Sequence, residues 1–176
     1  MEFFEVIKER RSIRAYRPQP IEPRALEKIL ETSRRAPSAG NLQAYEIYVV
    51  DEEQGKSALT AAALGQEFIG QAPVVLVFCA HADRSSGKYG RRGVDLYCLQ
   101  DATIACTFAM LAATALGLSS VWVGAFDEGQ VRKILHTPPS HRPLVILPLG
   151  YAAESPPETE RRNLEGMIHH VQRKGR

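Results

Sequence analysis

The chain has 176 residues, 44% of them hydrophobic and 24% charged, the balance of an ordinary globular domain with enough apolar side chain for one substantial core. Lys and Arg number 22 against 20 Asp and Glu, too small an imbalance to indicate a nucleic-acid-binding surface, so local placement of charge must carry any binding argument. Cys79, Cys98 and Cys106 are odd in number, lack CxxC spacing and lie in apolar stretches, which reads as reduced, buried packing residues.

In chain order, Phe3, Phe4 and Ile7 fall on one side of a short amphipathic helix ending near Arg10, which delivers a basic run. The start MEFFEVIKERR lacks the pattern of a secretory signal, so a cytoplasmic location is the default expectation. After a turn at Pro18 and Pro20, Glu22 and Pro23 open a second helix whose face is Leu26, Ile29 and Leu30, stopping near Arg35. Residues 36–43, APSAGNLQ, read as a loop. Tyr45 to Val50 alternates as a strand, and Asp51 is placed to cap a helix through about Leu64. Pro73 precedes VVLVF, a strand buried on both faces. Residues 81–93, HADRSSGKYGRRG, read as a mobile surface loop or lid.

A helix from Val94 to Leu116 follows, about 35 Å long at 1.5 Å per residue. The 25 residues between Asp101 and Asp127 carry no charge, yet their threonines, serines and Gly117 fit a buried helix and strand better than a membrane span. Such a helix is either the hub of the core or part of a large subunit interface. Ser120 to Val123 is a short strand, Asp127 with Gln130 has capping spacing for a helix reaching Leu135, and Pro143 to Leu149 is the last strand. The tail, residues 151–176, has too little apolar content to pack alone and is expected to wrap a partner subunit or the domain surface. With no internal repeat or linker, residues 1–176 read as a single domain of α+β or α/β type, helices covering a central sheet.

Four places carry candidate chemistry. Arg10, Arg11, Ser12 and Arg14 combine guanidinium forks with a hydroxyl, suited to a phosphate and equally to a solvated helix end. In APSAGNLQ, Ser38 and Asn41 add polarity and Gly40 permits close approach, though a plain connection has the same composition. In VGAFDEGQV, Gly124 and Ala125 leave room for a flat ring against backbone N–H groups, or for tight strand-to-helix packing. Arg161 and Arg162 follow a proline pair in the tail. No GxGxxG is present, so a Rossmann site is unsupported.

Taken in order, ERRSIRAY, APSAGNLQAYEIYVV, QEFIGQAPVVLVF, KYGRRGVDLYCLQDA, ALGLSSVWVGAFDEGQVRKIL and RRNLEG resemble the FMN-dependent nitroreductase family across nearly the whole chain. The resemblance implies an α+β fold with a mostly antiparallel central sheet flanked by helices, and an intimate homodimer around long central helices with FMN at the interface. It implies that Arg10 and Ser12 meet the FMN phosphate, Arg11 supports the phosphate or ribityl side, and Arg14 approaches the pyrimidine edge. Pro37, Ser38, Ala39, Asn41 and Gln43 would come from the partner chain. Gly124 and Ala125 would offer amides to the reactive edge, Gln66 would contact the ring, and Arg161 or Arg162 would close on the phosphate. Ala44 and Tyr45 replace the family's frequent proline and tryptophan, and Asn163 stands where proline is frequent, which leaves the two tail arginines as alternatives.

The implied activity is ping-pong transfer from NADH or NADPH through FMN to a small-molecule acceptor such as a nitroaromatic or quinone, with no metal, no catalytic acid or base, no nucleic acid and no membrane. Lys88, Tyr89, Arg91 and Arg92 are candidates to border the substrate cavity and attract NAD(P)H phosphates. The rival expectations are a flavin-fragmenting or reductive dehalogenating relative on the same fold, and a flavin-binding protein without turnover.

Overall fold

The computed structural model describes residues 1–171. Four strands, β1 (Tyr45–Val50), β2 (Val74–His81), β3 (Ser119–Ser120) and β4 (His141–Gly150), form one sheet in the order β1-β2-β4-β3, and every ladder is antiparallel. The apolar run of β2 has the cause inferred from sequence. Side chains alternate faces along a strand, and here both faces are covered. Leu76, Phe78 and Ala80 enter one core and Val75, Val77 and Cys79 the other. Across the ladder, Val145 and Leu147 of β4 join the first core and Ile146 the second.

The first core is closed by α2 (Pro23–Arg34) and α6 (Cys98–Ala115), through Ile29 and the fully buried Ala102, Ala105, Ala109 and Ala113. The second is closed by α3 (Glu53–Ala62), α4 (Phe68–Gln71) and α7 (Glu128–Ile134), through Leu59, Ile69 and Val131. The α+β expectation and the mostly antiparallel sheet are met. Asp127 caps α7, its carboxylate accepting the Gln130 amide at 2.8 Å.

Several expectations are corrected. Residues 81–93 are not a loop: Ala82–Arg92 form α5, begun by the His81 ring accepting the Arg84 amide at 3.2 Å. The chain bends at Gly90 (φ 54°) and enters a π-type turn over Gly93–Tyr97 before α6, so the long helix starts at Cys98 rather than Val94. Gly93 allows this bend because a Cβ there would lie 2.6 Å from the Ser85 carbonyl oxygen. The stretch 82–115 has the length and apolarity of a membrane span, but half of its most apolar window is buried within the fold. Asp51 does not cap α3, which begins after Glu52 with no side-chain cap and ends at Ala62, where Leu64 and Gly65 adopt positive φ of 59° and 74°. The strand at 120–123 is reduced to Ser119–Ser120 plus one bridge from Val123 to Ile146. Val121 and Val123 are nonetheless buried and Trp122 exposed, so the side-chain alternation survives without a continuous ladder.

Helix α1 (Phe3–Glu9) has the predicted spacing, but its apolar face is turned outward: Phe3 is 62% and Phe4 82% exposed. Next to it lies a mainly apolar cavity of about 670 Å³ between α1 and α6, reached by Phe108 and Leu111. In the tail, Ala152 bridges Tyr16 and the Ala153 amide donates to Ala15 at 2.9 Å, after which the chain leaves the sheet. Leu164, Met167, Ile168 and Val171 are exposed. Residues 172–176 of the predicted tail lie outside the described residues.

Candidate functional site

The basic segment is displayed by two apolar anchors. After α1 the chain becomes extended, Ser12 bridges Ser120, and the Ile13 amide donates to the Ser120 carbonyl at 3.2 Å. Ile13 and Tyr16 are buried, and the Tyr16 hydroxyl donates to the Ile13 carbonyl at 2.8 Å. With those side chains inward, Arg10, Arg11, Ser12 and Arg14 stand half or fully at the surface.

Their electrostatics differ. Burial, then the nearby charges of Arg161 and Arg11, hold the Arg10 guanidinium below its ordinary pKa, and Arg10 has no carboxylate partner among the described residues. Arg11 pairs with Glu158 at 3.5 Å, and the Arg14 amide donates to the Glu154 carboxylate. A cavity of about 230 Å³ opens beside Arg10 and Arg11, bordered by Ser119 and Glu154. The Ser120 hydroxyl, beside Ser12 in the bridge, is buried without a hydrogen-bond partner. Crowded guanidinium groups, hydroxyls and an opening form a donor set that fits a phosphate dianion. Of the two tail arginines, Arg161 is the one whose charge reaches Arg10, whereas Arg162 donates back to the Gly166 carbonyl at 3.4 Å.

A second group gathers where the chain leaves Val123. The Gln66 side-chain amide donates to the Ala63 carbonyl at 2.9 Å and the Ala125 carbonyl at 3.1 Å, and the Asp127 amide donates to Ala62 at 2.9 Å. The 124–127 turn is thereby docked on the end of α3 with Gly124 and Ala125 exposed. Gln66, Gly124 and Ala125 therefore share one neighbourhood, and Ser120, beside Ser12, lies four residues upstream of Gly124 on the same segment.

The loop holding Pro37, Ser38, Ala39, Asn41 and Gln43 is anchored elsewhere. Its tip is a tight turn, Ala39–Asn41, with Gly40 at φ 58°, Asn41 at 59° and Gln43 at 48°. The Ser38 hydroxyl accepts the Gln43 amide at 3.0 Å. Asp101 of α6, only 2% exposed, accepts the Ala39 amide at 2.9 Å and the Ala44 amide at 3.1 Å. Arg84 of α5 donates to the Gln43 carbonyl at 2.7 Å and pairs with Glu46. Among the described residues no hydrogen bond or ion pair joins this loop to the Arg10 cluster.

Asp101 and Arg84 were not singled out by the sequence reading. The available signal was a carboxylate at the head of an uncharged helix, which needs donors once buried. Lys88 and Tyr89 lie against Gly40, where a Cβ would come within 2.6 Å of the Lys88 ammonium nitrogen. Arg91 instead pairs with Asp95 at 3.0 Å, and Arg92 donates to the Tyr97 hydroxyl at 2.9 Å.

Glu46, His81 and His141 also cluster, with ligand-type atoms within 4.8 Å of one another. Each is already engaged: Glu46 by Arg84, His81 by the Arg84 amide, and His141 by the Tyr48 hydroxyl at 2.7 Å. Burial and then the neighbouring His81 lower the His141 pKa, which favours the neutral ring in this hydrogen-bonded brace.

Comparison with known proteins adds four findings. The profile of the Nitroreductase family matches residues 7–66 and 56–151. The chain is 35% identical over 187 aligned positions to a protein named NADH dehydrogenase from Thermus thermophilus, covering 90% of this chain and 91% of the relative. It is 31% identical to an FMN reductase [NAD(P)H] from Bacillus subtilis, covering 94% of this chain and 73% of the relative. Among solved structures, the hypothetical oxidoreductase YcnD from Bacillus subtilis superimposes with a TM-score of 0.90 at 29% identity, over 98% of this chain and 75% of that one.

Proposed function

Because this chain belongs to the Nitroreductase family, we propose that it is an FMN-dependent oxidoreductase that takes electrons from NADH or NADPH and passes them to a small organic acceptor such as a nitroaromatic or quinone. The observation that carries this reading is the cavity lined by Arg10 and Arg11, beside the buried, unpartnered Ser120 hydroxyl, with no carboxylate paired to Arg10 among the described residues; burial, then the charges of Arg161 and Arg11, lower the Arg10 pKa. The name of the Bacillus subtilis relative, an FMN reductase, supports it.

Arg10, Ser12 and Arg161 hold the phosphate in this reading, and Arg11 supports the phosphate or ribityl side. Arg14 stands at the pyrimidine edge, where its charge stabilises negative charge and eases reduction. The exposed Gly124 and Ala125 amides face the reactive edge, and Gln66, oriented by the Ala125 carbonyl, meets the ring. Bound FMN supplies the hydride-accepting and electron-donating chemistry of both half-reactions. Reductant and acceptor use one cavity in turn, and Lys88 with Tyr89 borders it.

The site is completed in a homodimer, the partner supplying Pro37, Ser38, Ala39, Asn41 and Gln43. The exposed Phe3, Phe4 and Ile7, the apolar cavity along α6 and the exposed Leu164, Met167 and Ile168 support burial against a second copy, with the tail wrapping it. The test is direct. Purified protein should be a yellow dimer that releases FMN on denaturation, is bleached anaerobically by NAD(P)H and recovers its colour when acceptor is added afterwards. A colourless protein that takes up no added FMN would overturn the proposal.

A further inference from the structure

We propose that Asp101 is a positioning residue for the flavin site, its buried carboxylate clamping both ends of the 39–44 loop in the geometry that meets the partner's flavin. The inference rests on the FMN reading above and adds to it a residue that makes no flavin contact itself.

Three observations carry it. First, Asp101 is 2% exposed, and its two oxygens are taken separately, Oδ1 by the Ala39 amide and Oδ2 by the Ala44 amide. No ion pair neutralises it among the described residues. A buried carboxylate without a cation depends on its N–H donors, so the loop cannot leave without stranding a charge in the core.

Second, the clamped backbone is an unfavourable one. Gly40, Asn41 and Gln43 all have positive φ within four residues, and glutamine in particular adopts that region rarely. Such geometry persists where surrounding contacts over-determine it. Here these contacts are Asp101 at both ends, the Ser38 hydroxyl across the turn and Arg84 on the Gln43 carbonyl.

Third, the clamp faces inward while the loop's outer surface stays available. Pro37 and Asn41 are exposed, and Asp101 sits on α6, whose flank carries Phe108 and Leu111 at the apolar cavity assigned above to the dimer. The same helix therefore fixes the loop and borders the surface across which the loop must reach.

The experiment titrates FMN into full-length dimeric wild type, Asp101→Asn and Asp101→Ala, following fluorescence quenching together with the thermal midpoint with and without FMN. Asparagine keeps one acceptor and turns an NH₂ group toward the second loop amide, releasing one end; alanine releases both. The expected result is FMN affinity weakened roughly tenfold in Asp101→Asn and further in Asp101→Ala. The midpoint gain produced by FMN should shrink as well. A purely structural Asp101 would lower the midpoint without FMN yet leave affinity unchanged in dimeric Asp101→Asn, and that result overturns the proposal. Hydrogen exchange on wild type is independent of any variant folding. The Ala39 and Ala44 amides should be protected despite lying in a loop, and fast exchange there also overturns it. Failure of wild type to take up FMN would instead sink the underlying site reading, with amide protection still reporting on the clamp.

Discussion

Replacing Arg10 with alanine separates a binding cluster from a merely solvated helix end, because the two roles predict opposite effects on the flavin-free protein. Arg10 is held below its ordinary pKa by burial and by Arg161 and Arg11, so removing it relieves repulsion, and among the described residues no ion pair is broken. The flavin-free thermal midpoint should stay level or rise slightly. With FMN the sign reverses. A charge-assisted hydrogen bond is worth about 1.5–3 kcal/mol, and each 1.4 kcal/mol is about tenfold in affinity, so losing one such contact predicts a Kd roughly 10- to 100-fold weaker. Arg11, already paired with an exposed Glu158 at 3.5 Å, should cost less when replaced. The assay is fluorescence titration of FMN into Arg10→Ala and Arg11→Ala, with sedimentation establishing that both remain dimers. Added salt should weaken FMN binding more in wild type than in Arg10→Ala, since one screened contact is gone. Unchanged affinity in a dimeric Arg10→Ala would refute the reasoning.

Gly93→Ala should destabilise the protein by about 1–3 kcal/mol, read from chemical denaturation, because its Cβ would meet Ser85 backbone that cannot step aside; a neutral result would mean the α5–α6 junction is loose. Stability should fall as pH rises from about 9 to about 12. Burial pushes the Cys79 thiol from 9.0 up to about 12, so in this window the unfolded chain has lost a proton that the folded chain keeps. Cys79→Val should make that slope shallower without abolishing it, because burial also raises the Cys98 and Cys106 thiols; all three cysteines should resist thiol reagents at pH 8 until the protein unfolds, and prompt labelling of all three would contradict their burial. Phe4→Glu places a charge on the outward face of α1, where it disturbs no core, so it should leave each chain folded while dissociating the dimer and weakening FMN uptake; a fully dimeric variant would show that α1 lies outside the interface.

Much of the fold follows from forces that act within a few residues. The alternate-face packing of β1, with Tyr45 and Ile47 on one core and Tyr48 and Val50 on the other, the doubly covered apolar run of β2 and the Asp127 cap all follow from side-chain direction and local hydrogen bonding, so they are readable in the order of residues. The basic segment was legible as a cluster for the same reason.

Tertiary contacts decided the rest. Residues 81–93 carry the glycines and polarity of a loop, yet close packing of Gly93 on Ser85 and the hold of Arg84 on Gln43 and Glu46 make most of them a helix. Arg161 and Arg162 are adjacent and alike in sequence, and only the folded tail brings the charge of one to Arg10 while the other turns back on Gly166. Asp101 looked like the boundary of an uncharged stretch. Its partners, Ala39 and Ala44, lie 62 and 57 residues away, and a buried carboxylate finds such donors only when the chain between them has folded.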